Sequence, residues 1–187
     1  MKLDKGQVVV TGDIGCTILG MNSPINSCWT ELAMGSSISL AQGFLRAGLK
    51  EPVIATIGDS TFFHAGIPPL VNAVQHRVSM TVIILDNGWT SMTGFQANPG
   101  TDERFQAAGG RRVSIEALVR AVGVDFVEKI DPFAQEAAIE TIGKAIRAEG
   151  VRVVIAEREC ALAEHRREGR RKPYRIEAEK CTFCRSC

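Results

Sequence analysis

The sequence predicts an α/β fold: a three-layer arrangement of one parallel sheet with helices on both faces. Two observations carry that reading. Short, nearly continuous apolar runs recur at Gln7–Thr11 (QVVVT), Pro52–Ile57 (PVIATI), Thr81–Leu85 (TVIIL), Asp125–Val127 and Arg152–Ala156 (RVVIA), the pattern of strands buried on both faces. Segments of helical periodicity separate them, and regular strand–helix alternation is the signature of parallel crossover units.

Each helix has its own signal. Glu31–Arg46 carries an apolar stripe at Leu32, Met34, Ile38, Leu40, Ala41, Phe44 and Leu45, as expected for a helix packed on a sheet. Pro68–Gln75 opens with proline, which suits a first helical turn. Ser114–Val122 starts with a capping serine, although Glu116 stands one place too early for a full capping box. Asp131-Pro132 opens a long amphipathic helix that ends near Gly150. No internal repeat or low-complexity segment interrupts the order.

Composition narrows the class. The chain has 187 residues, 45% hydrophobic and 23% charged, ordinary for a globular domain with a sizeable core. A net charge of +1 gives no reason to expect nucleic acid as a partner. No apolar run approaches the ~20 residues of a membrane span, and MKLDKGQ does not read as a signal peptide. A cytoplasmic location is therefore expected, and six cysteines point to metal or redox chemistry more than to disulfides.

The stretch from Gly58 to Gly94 carries the chemistry. One apolar strand ends in Gly58-Asp59-Ser60 and the next in Asp86-Asn87-Gly88. If the two strands are parallel, both tips lie on the same carboxyl edge, where ligands bind in open α/β sheets. The Asp59 carboxylate and the Asn87 amide oxygen are hard donors suited to a magnesium ion that also holds phosphate oxygens. The adjacent glycines let backbone approach a diphosphate closely. The loop from Gly88 to Arg112 is long, rich in small polar residues and without apolar periodicity. Loops of that kind are functional or disordered. Thr90, Ser91 and Thr93 within it either donate hydrogen bonds to a diphosphate or satisfy turn backbone.

Gly58-Asp59-Ser60, then twenty-five residues, then Asp86-Asn87 resembles the thiamine diphosphate motif, which begins GDG and ends in Asn or Asn-Asn. Ser60 stands where a third glycine is usual and Asp86 where the first Asn is common. The segments TGDIGCTILG, DSTFFHAGI, DNGWTSMTG and FQANPG extend the likeness to the thiamine diphosphate-binding region (PP-type domain) of indolepyruvate:ferredoxin oxidoreductase alpha subunits, in the 2-oxoacid:ferredoxin oxidoreductase superfamily. That resemblance implies magnesium held by Asp59, Asn87 and the Trp89 carbonyl. It places Gly15, Cys16, Met34, Gly35 and Ser36 near the pyrimidine and thiazolium rings. From the central stretch it adds Gly58, Asp59, Ser60, Thr61, Asn87, Trp89, Thr90, Thr93 and Gly94 to the cofactor-binding set. Cys16 also fits a small buried turn residue, and Cys28 reads as packing.

His64, five residues after Asp59, reads either as a proton donor or substrate contact or as a helix-entry histidine bonded to backbone. His76 and His165 read as surface residues. Residues 1–160 form the expected cofactor domain and 161–180 a charged linker, with the basic run Arg166–Lys172 either a solvated face or an anionic-partner surface. The end, Cys181-x-x-Cys184-x-x-Cys187, matches the opening of a ferredoxin iron–sulfur run and stops before a fourth cysteine. A truncated [4Fe-4S] module and a zinc site both fit.

The resemblance implies oxidative decarboxylation of aryl 2-oxoacids, with coenzyme A as co-substrate and ferredoxin as electron acceptor. It further implies a pyrimidine-domain partner chain carrying the activating glutamate and a gamma/beta-type subunit, because no such domain precedes the first strand. Two other classes stay open: a subunit of a split non-oxidative thiamine-dependent decarboxylase, and a non-catalytic binding module.

Overall fold

Apolar, β-branched runs put two strands side by side at the centre of the molecule. In the computed structural model, which describes residues 8–169 and 177–181, the described residues form a five-stranded sheet. Its strands are β1 (Val9–Thr11), β2 (Val53–Gly58), β3 (Met80–Asp86), β4 (Phe126–Ile130) and β5 (Val151–Glu157). They lie in the order β1-β2-β3-β5-β4, with every neighbouring pair parallel. The helices are α1 (Ser36–Arg46), α2 (Asp59–Thr61), α3 (Ile67–Gln75), α4 (Ile115–Val122), α5 (Gln135–Arg147) and α6 (Ala161–Glu168).

Handedness sorts these helices. The steps β1→β2, β2→β3 and β3→β4 run one way across the sheet, and only β4→β5 steps back. Right-handed crossovers therefore place α1, α3 and α4 on one face and α5 on the other. In agreement, α3 packs against both α1 and α4, and α5 against β3, β4 and β5. The three-layer expectation holds. The main core lies under α1, α3 and α4, where Ile38, Leu70 and Val119 meet Val53, Ala55, Ile57, Val82, Ile84, Val153 and Ile155, all buried. Each such side chain contributes roughly 1.5–3 kcal/mol of burial. On the opposite face Val154 and Ala156 are buried, as are Ala138 and Ala145 of α5.

Several boundaries differ from the sequence pattern. Helix α1 begins at Ser36 rather than Glu31 and leaves Leu32, 71% exposed, and Met34, 46% exposed, outside the core. Gly35 takes a left-handed φ of 83°, which ends any helix from the other side. After β2 the chain turns helical at once, through α2, rather than first at Pro68. It widens into a π turn over Phe62–Gly66 before α3, because Pro68 and Pro69 cannot donate to the preceding turn. Strand β4 continues past Val127 to Ile130, with Glu128 and Lys129 exposed on an edge strand. Helix α5 starts at Gln135, since the Asp131 carboxylate accepts the Phe133 N–H at 2.9 Å and holds a turn there. The first part of the segment expected as a charged linker is α6. Ser114 caps α4 as its sequence suggests, accepting from the Ala117 N–H at 3.1 Å.

Arg152 is the exception to an apolar interior, at 2% exposure. Its guanidinium donates to the Ala145 carbonyl at 2.8 Å, to Ser79 Oγ at 2.7 Å, to Thr81 Oγ1 at 3.1 Å and to the Gly150 carbonyl. One side chain thus ties α5 to the start of β3 and β5, and truncation strands buried acceptors. Arg152→Ala is expected to lower unfolding stability by about 2–4 kcal/mol. A urea titration showing a loss within ~0.5 kcal/mol of wild type would contradict that role.

Candidate functional site

The register of β2 with β3 builds the site. Ile57 pairs with Ile84 and Gly58 with Leu85, so both strands end level and their polar tips emerge together. Asp59, the first residue of α2, is 2% exposed, and Asp86, the last of β3, is 7% exposed. Beside them opens a cavity of about 520 Å³ lined by Ile14, Gly15, Cys16, Thr17, Gly20, Ser27, Cys28, Met34, Thr56, Gly58, Asp59, Ser60, Thr61, Leu85, Asn87 and Trp89–Thr93. Cofactor pockets in open sheets occupy this position and this size class.

Hydrogen bonds aim the donors. Asp59 Oδ1 accepts the Ser60 N–H at 2.7 Å, and Oδ2 accepts from Asn98 Nδ2 at 3.1 Å. Asn87 Oδ1 accepts the Trp89 N–H at 2.9 Å. Thr90 Oγ1 donates to Ser60 Oγ at 2.8 Å, joining the tips of the two strands. Burial pushes the Asp59 carboxyl above the usual carboxylate range, against hydrogen bonds from Asn98, Ser60, Gly88 and Asp86. Asp86 is pushed up to about 6, first by burial and then by the negative charges of Asp59 and Glu157, with Arg112 opposing. Two buried carboxyls therefore lie close together, where a cation would offset the cost of burying their charge.

A third buried carboxylate supports the cavity wall. Asp13, fully buried, accepts the Gly35 N–H at 2.8 Å through Oδ1 and the Ser37 N–H at 3.0 Å through Oδ2. It thereby caps α1 from the end of β1. Gly35 is needed there in a second sense: a Cβ would lie 2.5 Å from Ala65 Cβ. The signal that could have singled out Asp13 is the Gly12-Asp13 pair after a strand, the same pattern as Gly58-Asp59.

The long loop is folded. Thr90 pairs with Gln96 as an isolated bridge, Glu103–Phe105 forms a 3₁₀ turn, and Trp89 lies 5.2 Å from Phe105, tilted. Glu159 lies beside the Trp89 indole, and Arg167 of α6 grips the Glu159 carboxylate with both terminal guanidinium nitrogens. The Cys160 N–H donates to the Asn87 carbonyl at 3.2 Å. Helix α6 is thus strapped to the loop that carries Asn87 and Trp89.

Gly15, Cys16, Met34, Gly58, Asp59, Ser60, Thr61, Asn87, Trp89, Thr90 and Thr93 all line the cavity. Gly35 and Ser36 lie behind it at the start of α1, and Gly94 sits in the turn beyond, its N–H on the Ser91 carbonyl. His64 is exposed in the π turn and is not among the lining residues. Cys28, expected as packing, forms part of the wall, its thiol pushed up by burial and by Glu31. Cys181 is half-buried after a short turn; Cys184 and Cys187 lie outside the described residues.

The family described as thiamine pyrophosphate enzyme, C-terminal TPP binding domain, matches residues 4–156. The chain belongs to that family. It is 42% identical over 198 positions to indolepyruvate oxidoreductase subunit IorA of Pyrococcus horikoshii, which covers 97% of this chain and 30% of that protein. The protein of the same name from Archaeoglobus fulgidus is 42% identical over 185 positions, covering 97% and 29%. The chain therefore spans about 30% of the length of these relatives. Its fold is similar to a 2-oxoglutarate:ferredoxin oxidoreductase from Magnetococcus marinus, with a TM-score of 0.74 at 20% identity over 84% of this chain and 56% of that one. Among the described residues no helix is long and apolar enough to cross a membrane.

The residues of this thiamine pyrophosphate domain suit magnesium by their chemistry. Asp59, Asn87 and a backbone carbonyl are hard oxygen donors beside a ring of hydroxyls. Among the described residues no three His, Cys, Asp or Glu side chains gather as a metal cluster.

Asp86 gives the site a pH signature. Its raised value, about 6 against 3.8, means that the folded state holds the proton more tightly. Its stabilising contribution is complete below about pH 4 and lost as pH rises through about 6. With metal chelated, Asp86→Asn is expected to melt above wild type at about pH 7.5, by roughly 1–3 kcal/mol of stability, and to lose that advantage near about pH 4.5. A difference in melting temperature that stays constant with pH would refute it.

Proposed function

We propose that the chain is the thiamine diphosphate- and magnesium-binding portion of an indolepyruvate (aryl 2-oxoacid):ferredoxin oxidoreductase. The carrying observation is the buried Asp59 and the Asn87 amide oxygen, presented at level strand ends beside one cavity within a matched thiamine pyrophosphate domain. The relatives' printed name supports the indolepyruvate substrate. The ferredoxin acceptor and a coenzyme A co-substrate accord with the fold neighbour's title, which names both ferredoxin and bound coenzyme A.

Asp59, Asn87 and the Trp89 carbonyl would hold the ion, which would supply positive charge to the diphosphate. Ser60, Thr90, Ser91 and Thr93 offer hydroxyls to the phosphate oxygens. Met34 and Cys16 form the less polar part of the wall, toward the rings. When bound, the cofactor supplies the electron sink for decarboxylation. The chain's own residues bind and orient it, and none of the lining side chains has to move a proton. His64 is exposed away from the cavity lining, so a proton donor or substrate contact there would have to act from outside.

A pyrimidine-binding partner supplies the activating glutamate, and a gamma/beta-type subunit completes the assembly. Supporting this, Leu19, Trp29, Leu32, Met34 and Met92 are exposed apolar residues on the segments that form the cavity's wall and approach, the kind of surface that a partner covers. The word "subunit" in the relatives' name points the same way. The Cys181, Cys184 and Cys187 segment would hold an iron–sulfur cluster, which would supply one-electron transfer there, and the location is cytoplasmic.

The test is calorimetry of thiamine diphosphate with magnesium on the assembled protein, purified without oxygen. Asp59→Ala is expected to weaken binding by roughly 100-fold, and substrate oxidation should fall with it. An absorption spectrum without iron–sulfur features in the assembled complex would instead favour a non-oxidative decarboxylase. Absence of cofactor binding by the wild-type assembly would sink the proposal altogether.

A further inference from the structure

The cavity wall has two halves, held in place by different means. The half with Asp59 and Asn87 stands at the ends of β2 and β3, whose inner faces are buried in the core. The other half comes from the loop between β1 and α1, which lends Ile14, Gly15, Cys16, Thr17, Cys28 and Met34 to the lining. From Ile14 through Met34 no residue is buried, and the 3₁₀ helix within the loop, Cys16–Met21, has no buried residue either. Side chains that stay in water gain little from any one position. Burial therefore does not fix this half of the wall.

One carboxylate closes the loop at its neck. Asp13 and Gly35, 22 residues apart in sequence, are both buried. Asp13 Oδ1 accepts the Gly35 N–H at 2.8 Å and the Ile14 N–H at 3.0 Å, and Oδ2 accepts the Ser37 N–H at 3.0 Å. Thr17 Oγ1 donates to the Asp13 carbonyl at 2.9 Å. The residue thus holds the turn that opens with Ile14, Gly15 and Cys16 against the turn that closes with Met34 and Gly35. The first turn of α1 is a fixed point, because the buried Thr11 hydroxyl donates to the Ser37 carbonyl at 2.9 Å. Backbone bonds lay Trp29 and Thr30 along β1, from the Trp29 N–H to Val10 and from the Gly12 N–H to Thr30, both at 2.8 Å. Those bonds fix the far arm of the loop, away from Gly15, Cys16 and Met34. The two halves of the wall meet where Thr61 Oγ1 donates to the Ile14 carbonyl at 3.3 Å.

We propose that Asp13 is a positioning residue that sets the ring-side half of the cofactor cavity, while β2 and β3 set the metal–diphosphate half. Asp13 is not among the lining residues, and its side-chain bonds go to this loop and to the start of α1. A carboxylate suits the neck because both of its oxygens accept, so three N–H groups on two segments share one side chain. The start of α1 also favours negative charge there. An amide in its place turns a donor toward the N–H groups on one side of the neck, and that side opens. The inference rests on the proposed thiamine diphosphate site, with Cys16 and Met34 toward the rings, and names what keeps those two residues in place.

The experiment measures binding to the assembled protein by calorimetry, in magnesium, with two probes. Thiamine diphosphate spans both halves of the cavity, whereas inorganic pyrophosphate occupies the diphosphate half alone. Asp13→Asn is expected to weaken thiamine diphosphate about tenfold and pyrophosphate less than about threefold. Gly35→Ala reaches the same neck from its other side, since a Cβ there would lie 2.5 Å from Ala65 Cβ, and should give the same ratio. A loss for pyrophosphate as large as that for thiamine diphosphate, or no loss for thiamine diphosphate, overturns the assignment. Should Asp13→Asn fail to fold, as circular dichroism would show, Gly35→Ala decides by that ratio. A wild-type assembly that binds neither probe would overturn the thiamine diphosphate reading and the role of Asp13 together. Wild-type binding of both, with the ratio unchanged in the variants, overturns the role of Asp13 alone.

Discussion

The parallel pairing of β2 with β3 is the constraint on which the site depends. With Gly58 beside Leu85, the two strands stop at the same level, and the chain must turn away from both ends at once. One turn delivers Asp59 into α2 and the other delivers Asn87 and Trp89 into the loop. A slip of one residue in that register would exchange the faces of every side chain on one strand. It would break the alternation of Val53, Ala55 and Ile57 beneath α1 and α3 that the core requires. Hydrophobic packing over the whole sheet therefore sets the placement of two polar side chains at the cavity.

The site is built from groups that cost stability on their own. Burial raises the proton affinity of both Asp59 and Asp86, and the charge of Asp59 raises that of Asp86 further, while Asp13 is buried and held by backbone N–H groups. Buried carboxylates survive when hydrogen bonds satisfy them. Asp13 receives that satisfaction in full from the start of α1. Asp59 receives part of it from Asn98 and Ser60, and its remaining excess of negative charge is what a cation would meet. The contrast separates a carboxylate held by the start of α1 from one that opens on the cavity, on a single sheet edge.

The surface around the cavity follows the same division. Leu19, Trp29, Leu32 and Met34 stay exposed, and the segment that carries them forms one 3₁₀ helix, Cys16–Met21, and no α-helix until Ser36. On the opposite side, the α6 lead-in is bonded to Asn87 through Cys160, and Glu159 lies beside the Trp89 indole. The loop that bears the ligands is thus tethered on the α6 side and open on the side where apolar residues wait for cover.

Much of this was legible in the residues themselves. Apolar run length and alternation located the five strands, and glycine-acid pairs at strand ends marked Asp59 and Asn87, because those signals are local in sequence. The start of α1 was not legible: its stripe continues back through Leu32 and Met34, and only the left-handed Gly35 and the distant Asp13 carboxylate end it. Nor could spacing reveal Asn98 and Thr101, which read as an ordinary Asn-Pro-Gly turn until the fold brings them against Asp59 and Gly88. The sequence by itself determined which elements form and which residue types end the strands, since propensity and periodicity act over a few residues. The tertiary structure decided which distant groups meet at those ends, because such contacts span 39 residues in the case of Asn98 and Asp59 and exist only after the sheet has closed the distance.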